Sequence, residues 1–418
     1  MSKTVHHDCD CPTTGLLSVD EARQRLMDAM SPIKGRERLT IRQALNRVLA
    51  EDVLSTMEVP PFSNSAMDGY ALRSEDIPAS GNKILRMTGA SFAGKPYNGQ
   101  VGANECIRIM TGAVMPDGAD TVVMQENVNA DGMNIEINDH IRPGDNRRDA
   151  GEDIHMGDTL LCAGARLTPA DMGLLASTGV SEVTVCRQLR VAFFSTGDEL
   201  KPVGSTLEPG EIYDSNRYTL YGMLERMGTQ WLDMGVIPDQ RDAVCRALQE
   251  ASEIADVILT SGGVSVGEAD FVTEALEQLG EVQFWKVAMK PGKPLATGTI
   301  GKAYFFGLPG NPVSAMATYY QFVQPALYLL MGTTAPEPLI FEVPSAVTLR
   351  KSPGRLEYQR GILERDTNGQ YQVRDTGKQG SHILTSMSRA NCFIILPAEC
   401  AGVETGERVQ VQPFAGII

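Results

Sequence analysis

Apolar and polar positions follow a helical period at the start of the chain. Leu26, Met27 and Met30, then Leu45, Val48 and Leu49, recur at helical spacing. Ser18 with Glu21 and Thr40 with Gln43 fit a capping box, in which side chains satisfy the free N–H groups of a first helical turn. Two opening helices are expected. From residue 58 to 157 the pattern becomes short β-type runs, such as Cys106–Met110, Thr121–Glu126 and Met133–Ile137, broken by Gly, Pro, Asn and Asp. These predict a small all-β domain. Thr168 as N-cap and Pro169 at the first helical position then open a helix reaching about Ser177. The first domain, residues 15–57 and 158–188, is therefore discontinuous around the β insertion.

Residues 189–335 alternate regularly. Strands are expected at 191–194, 231–237, 257–260, 282–288 and 304–307, with helices at 216–227, 241–254, 270–279 and 313–330. Strands separated by amphipathic helices form βαβ units, which build a mostly parallel sheet with right-handed crossovers. Past the linker prolines Pro336 and Pro338 the chain is β-rich, with a hairpin signal at Thr367-Asn368-Gly369, so residues 336–418 read as a C-terminal β-barrel. The expected fold class is multidomain α/β plus all-β.

Composition narrows the partners. The 418 residues suffice for several cores, and 42% hydrophobic with 21% charged residues is ordinary for a globular protein. A net charge of −15 argues against nucleic acid or an anionic membrane as partner. No apolar run is long enough to span a bilayer, and eight scattered cysteines without paired metal-ligand spacing suggest reduced thiols, so a cytoplasmic protein is expected. His6-His7-Asp8-Cys9-Asp10-Cys11 forms a metal-capable tail with no assigned role.

The chemistry gathers in loops after three strands of the α/β region. These are Ser195-Thr196-Gly197-Asp198-Glu199, Ser261-Gly262-Gly263 running on through Ser265 to Glu268 and Asp270, and Leu308-Pro309-Gly310-Asn311-Pro312-Val313-Ser314. Parallel strands bring such loops to one edge of the sheet, where exposed amides and a helix N-terminus suit an oxyanion. Lys286, Lys290 and Lys293 lie close in sequence, the last two in a proline-stiffened turn that resembles a fixed cationic clamp. A contact pair at 4 Å is worth about 4 kcal/mol at an effective dielectric of 20, whereas charges beyond about 8 Å are mostly screened, so the local clamp outweighs the global negative charge. Glu199, Asp239, Glu268 and Asp270, with Asp68 and Asp153 from the insertion, supply carboxylates that would repel a phosphate unless Mg²⁺ lay between. Each acid also has an ordinary alternative: Asp239 as a helix N-cap, Asp68 in a turn with Gly69, Asp153 in an ion pair with Arg148. The chain lacks a Walker loop, a dinucleotide-binding glycine fingerprint and a nucleophile elbow.

Asn64-Ser65-Ala66-Met67-Asp68-Gly69-Tyr70-Ala71, Met110-Thr111-Gly112-Ala113, Gly151-Glu152-Asp153, the Ser195 and Ser261 loops, Lys290-Pro291-Gly292-Lys293-Pro294, Leu308-Pro309-Gly310-Asn311-Pro312 and Gly380-Ser381-His382 occur in this order. In that set and order the chain resembles the MoeA family of molybdopterin molybdenumtransferases, which includes the E domains of the plant enzyme and of gephyrin. The resemblance covers the chain from about Gly15 but not the His/Cys tail. It implies an elongated homodimer of four-domain subunits: a discontinuous helical domain, a β insertion, a molybdopterin-binding α/β domain and a β-barrel. It also implies a Mg²⁺-dependent insertion of molybdate into adenylylated molybdopterin with release of AMP. Carried over residue by residue, Lys290, Lys293, Pro294, Ser314, Arg360 and Ser381 would bind molybdate. Asp68, Asp153, Glu199, Asp239 and Asp270 would be the catalytic acids, Glu199 and Asp270 holding the metal. Thr111, Arg148, Ser195, Gly262, Gly263, Ser265, Pro309 and Pro312 would contact the pterin substrate. The insertion would serve the partner subunit's α/β domain, giving a site shared across the dimer. Molybdopterin adenylyltransferase and apo-molybdoenzymes are the further partners implied. A scaffold of the gephyrin type, without catalysis, is the alternative; an enzyme that adenylylates molybdopterin itself would leave the other three domains without a purpose.

Overall fold

The computed structural model describes residues 15–262, 275–276, 278–414. It forms two compact units, Arg38–Val185 and the combination of Met1–Glu37 with Cys186–Ile418. Helix α1 (Val19–Asp28) belongs to the latter, and Ser18 Oγ accepts the Glu21 N–H as its spacing predicts. The Glu21 carboxylate turns outward to Arg25 at 2.7 Å.

In the Arg38–Val185 unit, β1 (Gly69–Leu72), β2 (Asn82–Ser91), β3 (Glu105–Ile109), β4 (Thr121–Met124), β5 (Asn129–Asp131) and β6 (Asn134–Asn138) form one sheet in the order β4-β1-β3-β2-β6-β5. Alternate residues point to opposite faces, so Tyr70 and Leu72 enter one apolar cluster with Leu85 and Ile135 while Ala71 joins Ile109 and Val122 in another. Helix α2 (Pro169–Ser177) opens with a complete capping box between Thr168 and Asp171 and packs Leu175 against Ala44, Leu49 and Val185.

The helix expected after Thr40 is a single 3₁₀ turn, Ile41–Ala44. Thr40 Oγ1 donates to Gln43 Oε1 instead of accepting a backbone N–H, and Asn46 takes a left-handed φ of 63° that ends any helix. Leu45 is exposed, and Val48 and Leu49 make isolated bridges to Arg166 and Val185. The apolar spacing there serves extended chain. Apart from α2, the parts of this unit flanking the sheet are short strands and turns.

The α/β part of the larger unit comprises β7 (Arg190–Thr196), α3 (Ser215–Met227), β8 (Gln230–Ile237), α4 (Arg241–Ile254), β9 (Val257–Ser261), β10 (Gly280–Lys286), β11 (Met289–Lys290), β12 (Pro294–Ile300) and β13 (Ala303–Leu308). The helix that follows starts as α5 (Pro312–Thr318), passes a π turn at Tyr319–Val323 and continues as α6 (Gln324–Leu330). The sheet order is β8-β7-β9-β13-β12-β10, with β8, β7, β9 and β13 mutually parallel and β12 antiparallel to both neighbours. β9 is buried along its whole length, as expected for a central strand covered on both faces. Strand β12 departs from the expected element order, because Pro294 and Gly298 disguise it as a turn. The helix expected at 270–279 lies largely outside the described residues.

Beyond the linker, β14 (Phe341–Pro344), β15 (Leu356–Arg365), β16 (Tyr371–Asp375), α7 (Leu384–Arg389), β17 (Cys392–Leu396) and β18 (Arg408–Pro413) complete the chain. The strands pair in the order β16-β15-β17-β18-β14, and a bridge from Ser345 to Val373 returns the end of β14 to β16. This closes a ring around Val343, Val373, Ile394 and Val411. The β15–β16 hairpin turns at Gly369, where φ is 80°, as the Asn-Gly signal requires.

The amino ends of the parallel strands are pinned by Arg187, whose Nη atoms donate to both Asp256 oxygens at 2.6 and 2.7 Å while Nε donates to Lys34 O. Burial alone would push the Asp256 carboxyl up; the Arg187 hydrogen bonds, the Arg190 amide and both guanidinium charges outweigh it and hold it below its usual range. A depressed carboxylate contributes stability that is complete above its unfolded value, about 3.9, and is lost as pH falls through the folded value. Asp256→Asn is expected to cost about 2–3 kcal/mol at pH 7 by denaturant unfolding, the gap to the parent closing as pH drops below about 4. A gap independent of pH would rule out the carboxylate charge as its source.

Candidate functional site

Sequence places three loops after parallel strands, and the register brings their origins level. Ser195 pairs with Ser261, and Ser261 with Leu308, at the carboxyl ends of β7, β9 and β13. The chain leaves β7 for β8 on one side and returns to β9 on the other, so the crevice between β7 and β9 is a topological switch point. Gly262, with φ of 92°, sits where a Cβ would lie 2.8 Å from Thr196 O. Only glycine fits there, and its N–H donates to Leu308 O at 3.1 Å, binding two loops together. Pro309 lies between this bond and Gly310, and Pro312 opens α5 as the first-turn signal requires.

Asn216, at the start of α3, completes the lattice. Its Nδ2 donates to Ser261 Oγ and to Gly310 O, both at 2.7 Å, while Asp214 Oδ1 caps the helix by accepting the Arg217 N–H. Neither residue was singled out from sequence. The cue was present in Asp214-Ser215-Asn216, a polar triplet before a helical run. Among the described residues, Ser195 Oγ and Asn216 Oδ1 are buried without a hydrogen-bond partner, while Asp214 Oδ2, also buried, lies 3.7 Å from Arg217 Nε in an ion pair. The two unpartnered atoms at one edge mark a place where a polar ligand would be held.

The acids of this edge converge in part. Glu199 folds its carboxylate into the space beside Gly197, and the Asp239 N–H donates to Asp198 Oδ1 at 3.2 Å. Burial, then the charges of Asp198 and Glu199, push the Asp239 carboxyl above its usual range. Helix α4 is preceded by Gln240, so Asp239 is not its N-cap. Among the described residues no group of three His, Cys, Asp or Glu side chains is placed to hold a metal ion. Gly263, Ser265, Glu268 and Asp270 lie outside the described residues.

The turn that carries Lys290 and Lys293 and the Ser381 loop both meet α5. The turn at residues 291–293 packs on that helix: a Cβ at Gly292, where φ is 103°, would lie 2.6 Å from Thr318 Oγ1 and 3.5 Å from Ser314 O. The Lys290–Pro291 peptide is cis. Lys293 O accepts the Val287 N–H, and Pro294 pairs with Lys286 at the start of β12. Ser381 O accepts the Val313 N–H at 3.0 Å, so the ring of strands supplies a backbone group to the first turn of α5. Arg360, 1% exposed, donates to Ser386 Oγ and to the carbonyls of Gly380 and Tyr358. Burial pulls its guanidinium down to about 10, which leaves it charged at neutral pH. Lys290 is half-exposed, and its Nζ lies 3.6 Å from Glu357 Oε1.

In the Arg38–Val185 unit, Asp68 Oδ1 accepts from Thr111 N at 2.7 Å and Thr111 Oγ1 at 2.8 Å, hydrogen bonds that hold its carboxyl below the usual range. Two sequence-selected residues thus meet across the sheet, and the bond to Thr111 replaces an isolated turn. The ion pair considered for Asp153 falls elsewhere: Arg147 pairs with Asp149 at 2.6 Å, while the Asp153 N–H donates to Val59 O. Arg148 is exposed, opposite Asn64.

The sequence matches three family descriptions in succession: "MoeA N-terminal region (domain I and II)" over residues 17–179, "Probable molybdopterin binding domain" over 192–328 and "MoeA C-terminal region (domain IV)" over 342–414. A molybdopterin molybdenumtransferase of Haemophilus influenzae is 44% identical over 402 residues, covering 96% of this chain and 99% of the relative. A gephyrin of Dictyostelium discoideum is 34% identical over 94% of this chain and 61% of its own length. The crystal structure of a molybdopterin biosynthesis MoeA protein from Pyrococcus horikoshii superposes with a TM-score of 0.82 at 29% identity, covering 95% of this chain and 100% of that one. With end-to-end likeness of that degree, the chain belongs to the MoeA family.

Proposed function

We propose that this protein inserts molybdenum into molybdopterin, as the names of its relatives describe. The observation that carries the reading is the level alignment of three loops at the switch point, with buried polar atoms of Ser195 and Asn216 lacking a hydrogen-bond partner among the described residues. Adenylylated molybdopterin binds there, its pyrophosphate facing the Gly262 and Pro309–Pro312 backbone. Molybdate, a tetrahedral dianion and the substrate rather than a resident group, binds beside Lys290, Lys293, Pro294, Ser314, Arg360 and Ser381. Ammonium and guanidinium groups hold it by charge-assisted hydrogen bonds.

Glu199 offers the hard carboxylate oxygens that Mg²⁺ prefers, and beside it burial, then the charges of Asp198 and Glu199, hold the Asp239 carboxyl above its usual range. Glu199 and Asp270 would hold the ion, which when bound supplies charge neutralisation at the pyrophosphate. The two thiol sulfurs of the pterin replace one oxide ligand of molybdate, which leaves as one water carrying the two thiol protons, and a second water adds across the phosphorus–oxygen link, its oxygen ending on phosphorus as AMP departs. The chain's own residues position the reactants and shield their charge without a nucleophile. The same reading includes the four-domain subunit, a cytoplasmic homodimer and a site completed across it by Asp68, Thr111, Arg148 and Asp153, all supported by the family likeness. Purified protein given adenylylated molybdopterin, molybdate and Mg²⁺ is expected to release AMP. Ligand binding without AMP release would favour a scaffold.

Lys290→Ala is expected to weaken molybdate binding about 10- to 100-fold by calorimetry, the loss of one charged hydrogen bond, with the fold kept but a lower melting temperature, since the buried Glu357 carboxylate loses its ion-pair partner. Unaltered affinity would remove Lys290 from the clamp. Asp239→Asn separates function from stability. A carboxyl raised in the fold opposes folding increasingly as pH rises from its unfolded value through its folded one. The variant is expected to release AMP more slowly yet melt about 1–2 °C higher at pH 7. A lower melting point would contradict the like-charge crowding.

A further inference from the structure

Lys290 has a neighbour that the anion site does not account for. Strand β11 pairs in parallel with β15 so that Lys290 and Glu357 are direct Cα partners, which sets the two side chains beside each other by backbone register. Glu357 is 5% exposed, whereas the Lys290 side chain is 43% exposed. Their charged atoms stand 3.6 Å apart. The carboxylate is itself fixed: Oε1 accepts from Gln359 Nε2 at 3.1 Å, and Gln359 Nε2 also donates to Arg350 O. On the other side Lys351 donates to the carbonyls of Ser352, Ala398 and Cys400, and burial, opposed by nearby negative charges that include Glu357, pulls its ammonium below its usual range.

A buried carboxylate next to an oxyanion site is costly unless it does something for that site, since its charge opposes the ligand. We propose that Glu357 is a positioning residue for molybdate: it anchors the otherwise mobile Lys290 ammonium at the clamp, while Lys351 balances the added negative charge. The inference rests on the reading of Lys290 as a molybdate ligand. A lysine carries four rotatable side-chain bonds, and at this exposure only the Glu357 pair restrains its charged end among the described contacts. The Gln359 bond tolerates an amide in place of the carboxylate, so Glu357→Gln removes the charge and keeps the shape.

Positioning and simple field effects predict opposite signs. If Glu357 acted only through its field, its removal would tighten anion binding, and a dianion would gain the square of a monoanion's factor. If it anchors Lys290, its removal weakens both, the dianion more. The test measures binding of molybdate and of perrhenate, a tetrahedral monoanion, to the full-length protein by calorimetry. Glu357→Gln is expected to weaken molybdate about tenfold and perrhenate about threefold. Glu357→Asp is expected to recover part of the loss, and Glu357→Gln added to Lys290→Ala to cause no further weakening. Equal or tighter binding in Glu357→Gln, or a loss that persists in the Lys290→Ala background, overturns the positioning role but leaves the molybdate site standing. If Lys290→Ala itself leaves molybdate binding unchanged, the site reading falls and the proposal with it. A purely structural role for Glu357 would lower the fraction of binding-competent protein without altering the ratio between the two anions, and that outcome also overturns the proposal.

Discussion

Parallel pairing without slip is the constraint from which the site follows. Ser195, Ser261 and Leu308 lie level because β7, β9 and β13 keep one register, and that register is held at the amino ends by the Arg187–Asp256 pair and along their length by a core buried on both faces. Shifting one strand by one residue would exchange buried and ligand-facing side chains and separate Gly262 N from Leu308 O. The site is therefore built from backbone at least as much as from side chains. Asn216 ties two of its loops, one of them stiffened by Pro309 and Pro312, and Gly262 packs closely against the third at Thr196.

Charge is arranged in the opposite sense to the chain as a whole. The protein carries −15, yet Lys290, Lys351 and Arg360 share the neighbourhood of one buried carboxylate, Glu357. A second group of acids lies at the ends of β7 and β8, where Asp198 and Glu199 crowd Asp239.

Much of this was legible in sequence, and the exceptions have physical causes. Capping residues located α1 and α2, while alternation of short apolar runs with amphipathic ones located α3, α4 and the strands β7 to β9. The same capping logic failed at Thr40, where Asn46 and extended-chain bridges overrode a local preference. Strand β12 was hidden by its proline and glycine. At the site, the carboxyl-edge loops follow from local pattern, because each begins where a strand ends. The Asp68–Thr111 bond, the Ser381–Val313 contact and the Lys290–Glu357 register join residues far apart in the chain, and nothing local records such pairings. Asn216 lay between these cases, visible as a helix start but not as the bridge between two loops.

Arg360 carries a consequence for the C-terminal ring as a folding unit. It is sealed inside as a full positive charge whose hydrogen bonds all go to neutral acceptors, an arrangement that leaves its desolvation only partly offset. An oxyanion that reaches this guanidinium binds the native state and not the unfolded chain, so occupancy and unfolding equilibrium are thermodynamically linked. The unfolding temperature of the unit that holds Arg360 then rises with the concentration of an oxyanion that binds there.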